Sequence, residues 1–328
     1  MRSTALLLLS VSACVGRPHE APLEPPAPLR GVSSAYEAAA QLPLAKVTPM
    51  ELPGLHNVFR LSETLVSGSE PHGEAAFVEL QKLGVRTIVS VDGAVPDAAL
   101  AEKYGMRYVH VPIQYKGIAA DEALRLGKTF RELPGPFFVH CFHGKHRGPA
   151  AAALARCLID GASRPQAIAE MRQWMGTAPE YEGLYQTIAT QRLPTAAETA
   201  AYRFDFPAEH RAEGFVAGMV ELARAFDNVK DAARNDFATD PAHPDLDALH
   251  EARKVERLLE GCRETEASRG AKSDFRGWMD DANTAADELV AALARMRSGT
   301  DGALAEARGR VAMIGKACKA CHKVYGDD

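Results

Sequence analysis

Cysteine is scarce in this chain, six in 328 residues. That is too few for a disulfide scaffold of this size, so each cysteine must be understood through its neighbours. Neither sign of charge is in excess: 38 lysines and arginines face 43 aspartates and glutamates, a formal net of −5. No global field therefore attracts a polyanion such as a nucleic acid, and any anion site has to be local. Beyond the first residues there is no hydrophobic run of spanning length, which excludes a multi-span membrane protein. With 46% hydrophobic and 25% charged residues the chain is neither wholly disordered nor collagen-like. Its length implies about two domains. The charge divides unevenly, 19 basic and 18 acidic residues before Pro194 against 19 and 25 from it onward.

The start of the chain reads as an address. Met1-Arg2 precedes the apolar run Ala5-Leu6-Leu7-Leu8-Leu9 and then Val11-Ser12-Ala13-Cys14. A charged start, a short apolar core and small residues before a cut describe a secretory signal, too short to cross a bilayer. Val-Ser-Ala-Cys resembles the lipobox of bacterial lipoproteins, which implies that Cys14 is lipidated and becomes the mature N-terminus. An ordinary signal peptide with an incidental cysteine is the alternative; both export the chain. The lipid form would sit on the periplasmic side of a bacterial membrane, attached only through its lipid. Pro18, Pro22, Pro25, Pro26 and Pro28 follow, removing donors and fixing φ. Residues 15–48 therefore read as a Pro-rich, semi-extended tether, with no fixed structure expected between Gly16 and Arg30.

Between residues 49 and 193 β-rich runs (57–61, 64–67, 87–91, 108–112, 137–141) alternate with helical ones (73–83, 96–104, 121–133, 149–160, 165–175). This pattern predicts an α/β domain, a mostly parallel sheet flanked by helices, with its site at the carboxyl ends of the strands. The last strand runs directly into Cys141-Phe142-His143-Gly144-Lys145-His146-Arg147-Gly148 and an alanine-rich helix. A loop ending at a helix N-terminus offers backbone N–H groups and the positive end of the helix dipole to a phosphate. Arg147 can take two phosphate oxygens in its planar fork. The same field favours the thiolate of Cys141, the nucleophilic form. Gly144 allows close backbone approach.

His140-Cys141-x-x-Gly144-x-x-Arg147 resembles the signature of cysteine-dependent phosphatases. Gly144-Lys145-His146-Arg147 is most similar to the plant and fungal atypical dual-specificity group. The similarity includes Gly84-Val85-Arg86-Thr87-Ile88-Val89 and Tyr108-Val109-His110-Val111-Pro112-Ile113, but only the loop is specific. The resemblance implies a phosphocysteine mechanism without a catalytic metal, on phosphotyrosine-like or inositol polyphosphate substrates. Phe142, His143, Gly144, Lys145 and His146 would line the phosphate, with Lys145 and His146 adding charge for a multiply phosphorylated ligand. Two positions depart from the family. Gly148 stands where a Thr or Ser hydroxyl usually helps the thiolate leave. The upstream acid loop reads Gln114-Tyr115-Lys116-Gly117-Ile118-Ala119-Ala120-Asp121, which makes Asp121 the candidate general acid or simply a helix cap. Asp92 is the alternative acid, and an anion-binding module without catalysis is the alternative function.

From residue 194 helical periodicity takes over, in runs at 208–234, 246–266, 274–296 and 302–325. Four long helices with short turns predict an all-α four-helix bundle. Near the end stands Cys318-Lys319-Ala320-Cys321-His322, the c-type haem attachment pattern. Two thiols one turn apart reach the haem vinyl groups while the adjacent imidazole lies under the iron. A redox dithiol or a partial zinc site is the competing reading. Lys-Ala-Cys-x-x-Cys-His-x-x-Tyr at the end of a bundle resembles the cytochrome c prime family. That resemblance implies haem c on Cys318 and Cys321, His322 as axial ligand, and electron transfer or gas sensing. The distal position, one turn after Arg211, falls on Phe215, which cannot ligate; Met219 is the competing thioether ligand. Gly326 departs from the family, which often has Arg or Lys after the aromatic.

Cys157 and Cys262 remain without local partners, and a bond between them is left open. The expected partners are a phosphorylated small molecule or phosphoprotein and a redox partner, with no nucleic acid. Bundles of this family often pair, which leaves a homodimer open.

Overall fold

The computed structural model describes residues 22–211, 214–239 and 246–325, so the signal segment and Cys14 lie outside the described residues. The chain runs α1 (Ala35–Ala38), β1 (Met50–Leu52), β2 (Leu55–Arg60), β3 (Leu65–Ser69), α2 (Gly73–Lys82), β4 (Thr87–Ser90), α3 (Ala98–Lys103), β5 (Arg107–His110), α4 (Ala120–Glu132) and β6 (Phe137–Cys141). It continues α5 (Arg147–Ile159), α6 (Arg164–Gln173), α7 (Glu182–Thr190) and α8 (Ala196–Ala201). The strands form one mixed sheet in the order β1-β2-β3-β6-β4-β5. β3, β6, β4 and β5 are parallel, whereas the short connection from β2 to β3 permits only an antiparallel pair. β3, β4 and β6 are buried along their whole length, as strands covered on both faces must be. One face packs Val66, Ile88 and Phe138 against Phe77 and Leu80 of α2. The other packs Leu65, Val89 and Val139 against α5. α5 is buried from Arg147 to Leu158, and its alanines let it lie at the centre of that layer.

Two expectations are corrected at the edges of this unit. The proline-rich segment, expected to lack fixed structure, is laid on the domain from residue 22 onward. Arg164, only 2% exposed, donates to the carbonyls of Pro26, Ile188 and Gln191, and Leu29 N–H donates to Ala189 O at 2.8 Å. Proline removes local donors, and distant ones replace them. α1 is fixed similarly, because Glu182 accepts from Ala35 N–H at 2.6 Å and Tyr36 N–H at 3.1 Å. The boundary also moves past Pro194: α8 packs on α4 with Thr199 buried, and His110 N–H donates to Pro207 O at 2.9 Å.

The helical region holds α9 (Phe215–Arg234), α10 (Ala248–Arg263), the short α11 (Glu266–Arg269), α12 (Ser273–Arg297) and α13 (Ala303–Tyr325). α9 packs on α10 and α13, and α12 on α10 and α13, around Leu222, Phe226, Val255, Leu259, Ala285, Leu289 and Ile314. Among the described residues no helix is long and apolar enough to cross a membrane. Cys157 and Cys262 are free and lie in different cores, which removes the bond left open between them. Burial pushes their thiols up, to about 12 for Cys157 and about 11 for Cys262, so both behave as packing.

Candidate active site and candidate haem cleft

Central strand β6 delivers Cys141 to the carboxyl end of the sheet, and the chain turns through residues 142–146 into α5. Gly144 makes that turn at φ +70°, where an added Cβ would stand 2.4 Å from Gly68 C and 2.5 Å from Ser69 N. No other residue fits there without moving β3. Three loop carbonyls point outward. Phe142 O accepts from Glu70 N–H (3.1 Å), Gly144 O from Asn57 Nδ2 (2.8 Å) and Lys145 O from Thr177 Oγ1 (2.7 Å). In a trans peptide the next N–H points the opposite way. The N–H groups of His143, Lys145 and His146 therefore turn away from those partners, the arrangement an anion cradle requires.

Cys141 and Arg147 sit at the base of this loop, 4% and 2% exposed. The Arg147 guanidinium lies 4.2 Å from the Tyr115 ring centroid, which ties the expected acid loop to the arginine. Asp92, just beyond β4, is the carboxylate brought against the loop. Its Oδ2 accepts from Arg147 at 2.5 Å and from Phe142 N–H at 3.4 Å; its Oδ1 accepts from Ala94 N–H at 2.8 Å and His250 Nε2 at 2.5 Å. Burial alone would raise the Asp92 pKa, but Arg147 and His250 hold it well below the usual carboxylate range. Burial likewise works against the charge of Arg147, and Asp92 more than restores it. The His110 ring fixes the Asp92 backbone: Nε2 donates to Asp92 O at 2.7 Å while Nδ1 accepts from His210 N–H at 3.0 Å. Burial pushes His110 down to about 3, so this ring is neutral.

Asp121 is placed elsewhere. It is half exposed in the first turn of α4, where Arg125 pairs with it at 2.8 Å and Tyr202 donates to it. The structure thus does not bring Asp121 against the loop, whereas it places Asp92 there. The pair expected to add charge divides too: Lys145 is exposed, but His146 is buried, packed 4.1 Å from the Tyr181 ring and accepting from Ala178 N–H. His140 is also internal, sharing a 2.6 Å hydrogen bond with Tyr108 OH, and burial pushes it down to about 4. At Gly148 an added Cβ would lie 3.1 Å from Cys141 N and 3.4 Å from its Sγ, so this position faces the nucleophile.

The residue that sequence reasoning missed is His250, in the first turn of α10. Asp247 caps that turn by accepting from His250 N–H at 2.8 Å. The His250 ring stacks on Phe142 of the loop, centroids 4.2 Å apart and planes at 29°. No local pattern announces it.

In the helical region Cys318, Cys321 and His322 line a largely apolar cleft of about 280 Å³ with Phe215, Met219, Leu222, Leu259, Phe275, Trp278 and Tyr325. Both distal candidates thus face the same cleft as the attachment motif. Both thiols are free, and burial raises them. Among the described residues no group of three or more His, Cys, Asp or Glu could hold a metal ion, which disfavours the zinc reading. The donor set fits haem c: two thiols one turn apart, an adjacent imidazole and an apolar wall for the macrocycle.

No family model matches the chain. The N-terminal region resembles dual-specificity phosphatases. Over 119 residues, 36% of this chain and 54% of the relative, it is 29% identical to the dual specificity protein phosphatase TpbA of Pseudomonas aeruginosa strain UCBPP-PA14. The chain thus spans about half the length of the curated relatives it matches. Among solved structures, P. aeruginosa TpbA covers 43% of this chain and 87% of its own at 26% identity and a TM-score of 0.37. Human DUSP28 covers 44% and 97% at 21% identity and a TM-score of 0.33.

Proposed function

We propose that the α/β unit is a cysteine-dependent phosphatase that hydrolyses phosphate monoesters. The carrying observation is the loop that joins Cys141 to a buried Arg147 between β6 and α5. In this reading the Cys141 thiolate attacks phosphorus, a P–S bond forms and the ester P–O bond breaks. Arg147 and the loop N–H groups hold the equatorial oxygens, whose charge they match better as the transition state develops. Asp92 is the proposed acid. A phosphate dianion that takes over Arg147 deprives Asp92 of a cation and adds a negative neighbour; both raise its pKa toward protonation. It then gives its proton to the leaving oxygen, and takes one back from the water that hydrolyses phosphocysteine to phosphate. A phosphotyrosine-like ester is the proposed substrate class, and the relation to TpbA supports it. Loss of aryl phosphate hydrolysis in C141S tests the assignment; full activity in that variant would refute it. Between D92N and D121N, the larger loss of kcat is expected in D92N.

We further propose that the helical region is a four-helix bundle carrying haem c, as in the cytochrome c prime family. The cleft that gathers Cys318, Cys321 and His322 supports this. Cys318 and Cys321 would hold the group through thioethers and His322 through its imidazole, with the non-ligating Phe215 and the alternative ligand Met219 lining the same cleft. Bound haem would supply one-electron chemistry or gas ligation. Tyr325 braces this end by donating to Asp274 at 2.7 Å, and Phe275 packs edge-on against it. Co-expression with haem-maturation proteins should yield a haem stain that survives denaturing electrophoresis and is lost in C318A/C321A. Staining that persists in the double variant would overturn the reading. Export by the N-terminal signal, with lipid on Cys14, completes the proposal; labelling with a radioactive fatty acid that is lost in C14S tests it.

A further inference from the structure

The α/β unit and the helical region meet at the phosphate loop. His250 of α10 reaches Asp92, its ring covers Phe142, and Arg257 of the same helix donates to Gly93 O. A cavity of about 390 Å³ beside the loop is walled from both sides, by Glu70, His72 and Phe142 and by His250, Arg253 and Arg257. The three groups His250, Asp92 and Arg147 form a continuous buried chain from one unit to the other, each 5% exposed or less. Asp92 in that chain accepts from the Arg147 guanidinium and from Phe142 N–H, two donors that a phosphate would also use.

We propose that His250 is a positioning residue of the phosphate site: it holds the Asp92 carboxylate on Arg147, so that phosphate must displace Asp92 before it is bound. The inference rests on the phosphatase reading for its substrate but on geometry for its mechanism. Donors are shared competitively. While His250 Nε2 donates to Oδ1, Asp92 is oriented with Oδ2 on the arginine; without that bond Ala94 N–H alone holds Oδ1, and the carboxylate gives way to phosphate more readily. The helical region thereby sets how readily the loop accepts an anion, and any change that shifts α10 is transmitted to the site.

The test is titration calorimetry of full-length wild type, H250F and H250Q with inorganic phosphate, and hydrolysis of p-nitrophenyl phosphate by the same samples. H250F retains a ring to stack on Phe142 but cannot donate, and should bind phosphate about tenfold more tightly, as expected for one charge-assisted hydrogen bond. H250Q restores a donor and should return toward wild-type affinity, a rescue that loss of packing alone would not give. Equal or weaker binding in H250F, failure of H250Q to reverse the change, or no phosphate binding by any of the three overturns the proposal. The predicted affinity pattern without any ester hydrolysis would refute the phosphatase reading and leave His250 in its role. Hydrolysis with unshifted phosphate affinity would do the reverse.

Discussion

Asp92→Asn separates the two sides of the buried chain most sharply. Asparagine keeps the size and one acceptor oxygen but removes the charge that Arg147 and His250 share. The bond from Arg147 to Asp92 is 2.5 Å long and both side chains are 3% exposed, so it belongs to the charge-assisted class worth about 1.5–3 kcal/mol. Removing that competition should tighten phosphate by roughly 10- to 100-fold, at 1.4 kcal/mol per factor of ten. Without phosphate the variant should be less stable, because an uncompensated buried arginine costs about 3–5 kcal/mol. Phosphate should restore much of that loss. Calorimetric affinity and thermal unfolding with and without phosphate measure both quantities, and the expected signature is a lower Tm with a larger rise on adding phosphate. Turnover should fall at the same time, because the proposed acid is gone. A variant that binds phosphate no more tightly than wild type would refute competition for Arg147, whatever its stability.

Three other outcomes follow from named contacts. Gly148→Ser places a hydroxyl beside Sγ, where its Cβ stands 3.4 Å from the sulfur. The hydroxyl should donate to the leaving thiolate and raise turnover several-fold in single-turnover dephosphorylation; unchanged breakdown of the phosphoenzyme would contradict it. The His250 pKa is raised: burial opposes its charge, but Asp92 and Glu251 outweigh burial and the repulsion from Arg147, with Glu70 and His72 also facing it. A raised value means that this stabilisation is complete below the unfolded value of 6.5 and is lost as pH rises through the folded one. The Tm of wild type relative to non-titrating H250Q should therefore fall from pH 6 to pH 9, and a constant difference would contradict the charge assignment. Arg164→Ala leaves the carbonyls of Pro26, Ile188 and Gln191 without their donor. It should cost about 2–4 kcal/mol in urea unfolding and expose residues 22–30 to protease; an unchanged digestion pattern would refute the anchoring role.

The loop was legible because its chemistry is contiguous. Cys141, Gly144 and Arg147 follow one another between a β-rich run and an alanine-rich one, and the fold places them as that order requires. The strands β3 to β6 and the long helices were likewise readable from periodicity. Asp92 ranks below Asp121 in the sequence because sequence distance conceals that β4 lies beside β6, which sets the end of β4 against the loop. His250 was not legible at all: it is 158 positions from Asp92, and a lone histidine in a helical run carries no signal of what lies opposite. The proline-rich segment misled for a related reason. Its composition describes the bonds it cannot make with itself, whereas its order comes from Arg164 and Ala189, far along the chain. Pro194 does break a helix, but α8 and the residues after it still pack on the α/β unit, so a local break did not mark the boundary.

The central claim is that Cys141 becomes phosphorylated in turnover. Acid quenching of full-length protein during hydrolysis of an aryl phosphate, followed by peptide mass spectrometry, tests it most directly. One phosphoryl group on the peptide containing Cys141, missing in C141S, is the expected result. Hydrolysis that continues in C141S, or label found only on another residue, would contradict it.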